Sequence, residues 1–303
     1  MRLSGKSYSK KQRWLCRICG RTFVWKNRLN KHLRQQIWFK RWIVEGYTLR
    51  QLAVQSGHSS STLRRLIEYW LARPPFTVSD LSGYRYLIFD GTTFEKRTGV
   101  FTVMDAQILR VLYGEYNICE GRLSDLHRFC CVLLEHQLSP KSATVDGNTH
   151  LIKALRSFWP DIIIQRCLVH IRRQGLSWCR RYPKRTDAKL LRQLFLQVTY
   201  IHTETERDRF IAQLNSWEKK YGSRIASSAK GGWVFSDLKQ ARNMLLSALP
   251  DMFHYIRDPA IVTSTNALEG YFGRLKQKYR QHRGLSKRHR FSYFAWYLHL
   301  CPR

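Results

Sequence analysis

The chain has 303 residues, 44% of them apolar, which leaves room for two or three domains and a substantial core. Its 53 Lys and Arg against 21 Asp and Glu give a formal charge of +32, and a field of that sign draws polyanions, nucleic acid above all. No stretch approaches the roughly 20 apolar residues of a membrane-spanning helix, the first residues lack a secretory apolar core, and the eight scattered cysteines are no disulfide framework, so a soluble cytoplasmic protein with reduced thiols and no membrane partner is expected.

Residues 1–33 read as a basic segment resembling part of a zinc ribbon. Cys16-Arg-Ile-Cys19-Gly20 has the shape of a zinc knuckle, because the glycine permits the tight turn that brings backbone amides to the thiolates. Zinc held by Cys16 and Cys19 is a candidate cofactor short of ligands: His32 could add a third, and no fourth follows at finger spacing. Residues 34–73 read as a small helix-turn-helix domain. A first helix is expected over Gln35–Glu45 with Ile37, Trp38, Trp42 and Ile43 inward, ended by Gly46. Thr48 caps a short second helix, and Ser56-Gly57-His58 turns the chain. Ser59 or Ser60 then caps a third, with Leu63, Leu66 and Ile67 inward and Ser61, Arg64 and Arg65 outward. Residues 1–79 carry 17 Lys and Arg against two acids, which favours the third helix in a DNA major groove over an ordinary three-helix unit with solvated basic faces.

Pro74-Pro75 marks a linker to a third region, residues 80–303. Three strand-like runs (84–89, 100–104 and 108–116) precede a helix over 124–136, a strand ending at Asp146, a helix over 149–158 and an apolar strand over 162–164. Three strands, helix, strand, helix, strand is the order of a mixed α/β, ribonuclease-H-like core. In that layout the first and fourth strands are central neighbours, which brings Asp90 and Asp146 together despite the 56 positions between them.

Asp90 closes the run Tyr-Leu-Ile-Phe-Asp-Gly, Asp146 closes Ser-Ala-Thr-Val-Asp-Gly, and Glu269 sits in a helix-like run from 266 to 278. Carboxylates projecting from a sheet rim can converge on divalent ions, and two-metal phosphoryl transfer needs such a set to clamp attacking and leaving oxygens. A capping or turn role is the alternative for each, Asp-Gly being a turn signal. Asp105, Asp161 and Asp258 read as structural turn residues. Cys167 and His170 stand one helical turn apart and read as a structural or site-supporting pair. Trp217 reads as core, and Trp233, beside two glycines, as a residue that stacks on DNA bases. Residues 274–290 hold eight Lys and Arg and no acid, and Lys276 and Arg280 share a face that can clamp phosphates.

Phe89-Asp90-Gly91-Thr92, Val145-Asp146-Gly147, Cys167-Leu-Val-His170 and Asn266-Ala-Leu-Glu269-Gly270 together resemble the DDE transposases of bacterial insertion sequences, in the Mutator-like group. The resemblance implies an all-helical insertion, about residues 171–260, which helix-like runs over 190–198, 206–221 and 237–249 fit. It further implies Asp90, Asp146 and Glu269 as catalytic ligands of two Mg2+ ions, with Mn2+ as a substitute. Double-stranded DNA, as element ends and target, would be the substrate of a homodimer or higher oligomer in the bacterial nucleoid. The Cys16/Cys19 segment resembles the second half of that family's zinc ribbon. Two other readings are a transposase-derived DNA-binding protein without catalysis and a ribonuclease-H-type nuclease without strand transfer.

Overall fold

The computed structural model describes residues 1–25, 35–75, 80–95, 98–227, 232–282 and 284–303, and of residues 232–235 the backbone alone. They divide into two compact units, Met1–Ala72 and Arg73–Arg303.

The first unit opens with an antiparallel meander of β1 (Arg2–Lys6), β2 (Gln12–Leu15) and β3 (Thr22–Val24). Cys16 and Cys19 occupy the β2–β3 turn, where the Gly20 N–H donates to Cys16 O at 3.0 Å and Gly20 takes φ +67°, a conformation that favours glycine. His32 lies outside the described residues. A helix over residues 35–45 (α1) follows, its last turn, Arg41–Glu45, wound as a π-helix and ended by left-handed Gly46. Thr48 and Gln51 close a reciprocal capping box on α2 (Leu49–Ser56). Ser59, one of the two serines expected to do so, caps α3 (Ser60–Leu71) by accepting from the Thr62 N–H. Phe39, Trp42, Ile43, Leu52, Leu63, Leu66, Ile67 and Leu71 are buried, each contributing about 1.5–3 kcal/mol of transfer free energy. One expectation is corrected here: Ile37 is 50% exposed, because the inward stripe runs through Phe39, Trp42 and Ile43 at helical spacing and Ile37 falls beside it.

The second unit is mixed α/β. Strands β4 (Tyr86–Glu95), β5 (Thr98–Asp105) and β6 (Arg110–Ile118) run antiparallel; helix α4 (Leu123–Glu135), strand β7 (Ser142–Val145), helix α5 (Thr149–Phe158) and strand β8 (Ile163–Arg166) follow. The five strands form one sheet in the order β6-β5-β4-β7-β8, with β4–β7 and β7–β8 parallel. The two-residue period of a strand sorts its side chains. Leu87 and Phe89 of β4, Phe101 and Val103 of β5 and Ala143 and Val145 of β7 enter one core with Leu126, Phe129 and Leu133 of α4 and Leu151, Ala154 and Leu155 of α5. The alternate residues face the other way, toward α11 (Asn266–Tyr279) and α12 (Lys287–Leu300). Phe94 of β4 and Tyr116 of β6 each lie 4.6 Å, ring centre to centre, from Phe294 of α12, and Phe94 lies 5.4 Å from Tyr279 of α11.

Between β8 and α11 the described elements are helices: α6 (Leu168–Cys179), α7 (Thr186–Gln197), α8 (Glu204–Trp217), α9 (Ser223–Ser227) and α10 (Gly232–Ala248), with short helical turns among them. These helices bury a core of their own that includes Leu191, Phe195, Phe210, Leu214, Trp217 and Leu245. Gly175 lets α6 and α7 touch: a Cβ there would lie 2.2 Å from the Phe195 ring. The described cysteines are free, and among the described residues no helix is long and apolar enough to cross a membrane.

Candidate active site

Asp90 is carried by β4 on the face opposite the Leu87 and Phe89 core residues, and it is 9% exposed. The expectation that it closes its strand is corrected: β4 runs on to Glu95 because β5 continues to pair with it, Asp90 facing Thr102 and Thr92 facing Val100. What ends near Asp90 is the parallel partner. The last β4–β7 pair is Ile88 with Thr144, an offset of 56 residues (144 minus 88), and 56 also separates Asp90 from Asp146 (146 minus 90). One register therefore brings both aspartates level. Asp146 lies just past β7, as expected, and its Oδ1 accepts from the Asn148 N–H at 2.9 Å. Asn148 in turn caps α5, accepting from the N–H groups of His150 and Leu151. Gly147 sits at φ +111° against the buried Arg166, whose Nη2 lies 1.9 Å from where a Cβ would be.

Glu269 sits in the first turn of α11. Its Oε1 lies 3.2 Å from His170 Nε2 and 3.2 Å from Arg173 Nη2, both on α6. His170 Nδ1 lies 3.1 Å from the Sγ of Cys167, the buried residue at the start of α6. Thr265, immediately before α11, donates its N–H to the same sulfur at 3.4 Å. Cys167 thus sits behind the pocket, and His170 lines it.

These elements enclose a cavity of about 490 Å3 lined by Asp90, Gly91, Thr92, Glu120, Asp146, His170, Arg173, Glu269, Phe272, Gly273 and Lys276. The three acids singled out in the sequence, 56 and 123 positions apart in turn (146 minus 90, 269 minus 146), meet there. Burial, then the neighbouring Asp146 charge, pushes Asp90 up to about 7, against the pull of the Gly91 N–H on its carboxylate. Burial and Asp146 likewise push Glu120 up to about 7. Contact with the Cys167 sulfur raises His170. Burial would raise the Cys167 thiol, but hydrogen bonding from the His170 ring and from the backbone N–H groups of His170 and Thr265 outweighs it, and the thiol is lowered.

The donor chemistry fits a hard divalent cation: the acids offer carboxylate oxygens, and burial together with the Asp146 charge raises two of them, Asp90 and Glu120, to about 7. Among the described residues, no three His, Cys, Asp or Glu stand close enough to hold one ion, and Glu269 is engaged with His170 and Arg173.

Other expected residues are distributed as follows. Lys276 lines the cavity, its ammonium 5.8 Å from the Phe94 ring centre, whereas Arg280, at the end of α11, is not among the lining residues. Ser61, Arg64 and Arg65 are exposed on α3. The backbone N–H groups of Cys19 and Ile18 lower the Cys16 thiol. Trp217 is buried, its Nε1 donating to Asp187 O at 2.9 Å, and the side chain of Trp233 lies outside the described residues. Glu120 and Arg173 line the cavity without having been singled out. Glu120 follows β6, whose end shares the rim where β4 and β7 end, so an acid just past a third strand was the available signal.

Fold and cavity together define a strongly basic mixed α/β protein with a carboxylate-lined cleft on the face of its sheet covered by α11. Residues 141–284 match the family model described as Transposase, Mutator family. Over that segment the chain is similar to Mutator-family transposases, the resemblance its motifs indicated, and the match takes in Asp146, Cys167, His170 and Glu269. No curated protein matches the chain.

Proposed function

We propose that the protein is an insertion-sequence transposase of the DDE kind, cutting DNA at element ends and joining those ends to target DNA. The observation that carries this reading is the meeting of Asp90, Asp146 and Glu269 in one cavity beside Arg173 and Lys276. The sheet order with its central parallel β4–β7 pair supports a ribonuclease-H-like core, and the helices between β8 and α11 support an all-helical insertion.

Asp90 and Asp146, with Glu269 released from Arg173, would hold two Mg2+ ions. When bound, the ions supply charge for the attacking and departing oxygens of the phosphoryl transfer. The chain's own part is to place those carboxylates: the β4–β7 register sets the aspartates, and the Cys167–His170–Thr265 contacts fix the root of α11 beneath Glu269. Lys276 and Arg173 present cations to substrate phosphates. Double-stranded DNA is the partner that the charge of +32 favours. Helices α2 and α3, joined across Gly57, support a helix-turn-helix whose Ser61, Arg64 and Arg65 reach DNA. The Cys16–Gly20 turn, with amides aimed at the thiol, supports a zinc knuckle. A homodimer or higher oligomer on DNA is the expected working form.

The test is a reaction of the full chain with labelled element ends in Mg2+. Joined products are expected from the native protein. Asp90→Asn is expected to abolish cleavage and joining while DNA binding stays nearly intact; a variant that still joined strands would remove Asp90 from the mechanism.

A further inference from the structure

We propose that Glu120 is a fourth carboxylate of this site and binds, with Asp90 and Asp146, the same divalent cation, an inference that rests on the metal-dependent reading above. Glu120 occupies the tight turn between β6 and α4, and its backbone is fixed there on several sides. Asn148 Nδ2 donates to Glu120 O at 3.0 Å, the Cys119 N–H donates to Asp125 Oδ2 at 3.0 Å, and the Arg122 N–H donates to Cys119 O at 2.9 Å. Asn148 is also the residue whose N–H holds Asp146 Oδ1, so one side chain and its backbone tie the two acidic turns together.

The Glu120 carboxyl group lies over Gly91 on the Phe101 side of β4, opposite the face that carries Asp90, and both acids line the cavity. Its Oε1 lies 2.0 Å from where a Cβ on residue 91 would be, so that approach exists only because residue 91 has no side chain. The chain has 53 Lys and Arg, yet among the described residues Asp90, Glu120 and Asp146 make no ion pair, whereas Glu269 makes two. With His170 and Arg173 engaged by Glu269, these three acids make no close ion pair in a cavity of so basic a protein, an arrangement that a divalent ion would complete.

The test is Mn2+ binding to the full chain by titration calorimetry, with native protein, Glu120→Gln and Asp90→Asn compared after circular dichroism confirms folding. Glu120→Gln is expected to weaken Mn2+ on the order of tenfold or more. It should also raise the melting temperature in EDTA, because one of the crowded charges is gone. Glu120→Ala is measured beside it and gives the same reading where Gln does not fold. Native Mn2+ affinity in the Glu120 variants, with affinity lost in Asp90→Asn, overturns the role of Glu120 and leaves the metal-dependent reading standing. Native affinity in Asp90→Asn as well overturns that reading itself, and this inference with it.

Discussion

His170 Nε2 stands 3.2 Å from Glu269 Oε1, a contact that joins the first turns of α6 and α11 across 99 residues of chain (269 minus 170). With Cys167 Sγ against the other ring nitrogen, the imidazole is oriented by one neighbour and presented to the second. His170 is therefore a positioning residue for Glu269. His170→Ala is expected to lower the cleavage rate by about 10–100-fold, while the Kd for element-end DNA and the melting temperature change little. His170→Gln, which can still donate to Glu269, should recover part of the rate. A large loss of DNA affinity instead would reassign His170 to substrate binding.

The acidic cavity makes metal-free stability fall with pH. Asp90 and Glu120 start from ordinary values of 3.8 and 4.5 and reach about 7 when folded, so between those limits the folded state binds protons that the unfolded state has lost. Stability is then highest below the unfolded values, declines as pH rises toward about 7, and levels off above it. In EDTA the melting temperature should follow that course. Mg2+ should raise it at about pH 8 and do little at about pH 5, since protons and cations compete for the same oxygens. Asp90→Asn should flatten the decline; an unchanged profile in that variant would show that Asp90 is not its source.

Gly147 is held at φ +111° with the Arg166 guanidinium where a side chain would go. Gly147→Ala meets a backbone penalty of about 1–3 kcal/mol as well as the displacement of Arg166, a buried cation paired in register with Val145 at the end of β8. Urea unfolding should show a loss of at least that size, together with reduced cleavage, because Asp146 is carried by the same turn. Full stability in the variant would mean both that the turn relaxes out of this backbone conformation and that Arg166 moves aside freely.

Lys276 and Arg280, which share a helix face by spacing, separate by position in the folded chain. Lys276 lines the cavity and Arg280 does not, so Lys276→Glu should reduce both cleavage and DNA affinity. Arg280→Glu should weaken affinity alone and lower the slope of log affinity against log salt by about 1. Equal effects on cleavage from both would place Arg280 nearer the reacting phosphate than the fold has it.

Local pattern made much of this protein legible in its amino acids. Alternation of apolar residues marked the strands, Thr48, Ser59 and Gly46 punctuated the first helices, and the apolar start of β4 and the apolar β7 pointed to Asp90 and Asp146. Where the reading slipped, the cause was non-local. Asp90 looked terminal because Gly91 and two threonines follow it, yet β5 supplies hydrogen-bond partners that carry the strand to Glu95. Ile37 looked inward because its apolarity fits a helix face, yet packing around Phe39 chose a neighbouring stripe.

By itself the sequence determined the charge, the order of elements and the acids available, since each depends on residue identity or on spacing within one segment. Only the tertiary structure decided that Glu120 joins the aspartates, that Arg173 and His170 hold Glu269, and that Lys276 rather than Arg280 faces the cavity. Those relations depend on strand register and on the seating of α6 and α11. Both are set by packing between segments far apart in the chain, so a local signal such as the acid just past β6 could nominate Glu120 without placing it.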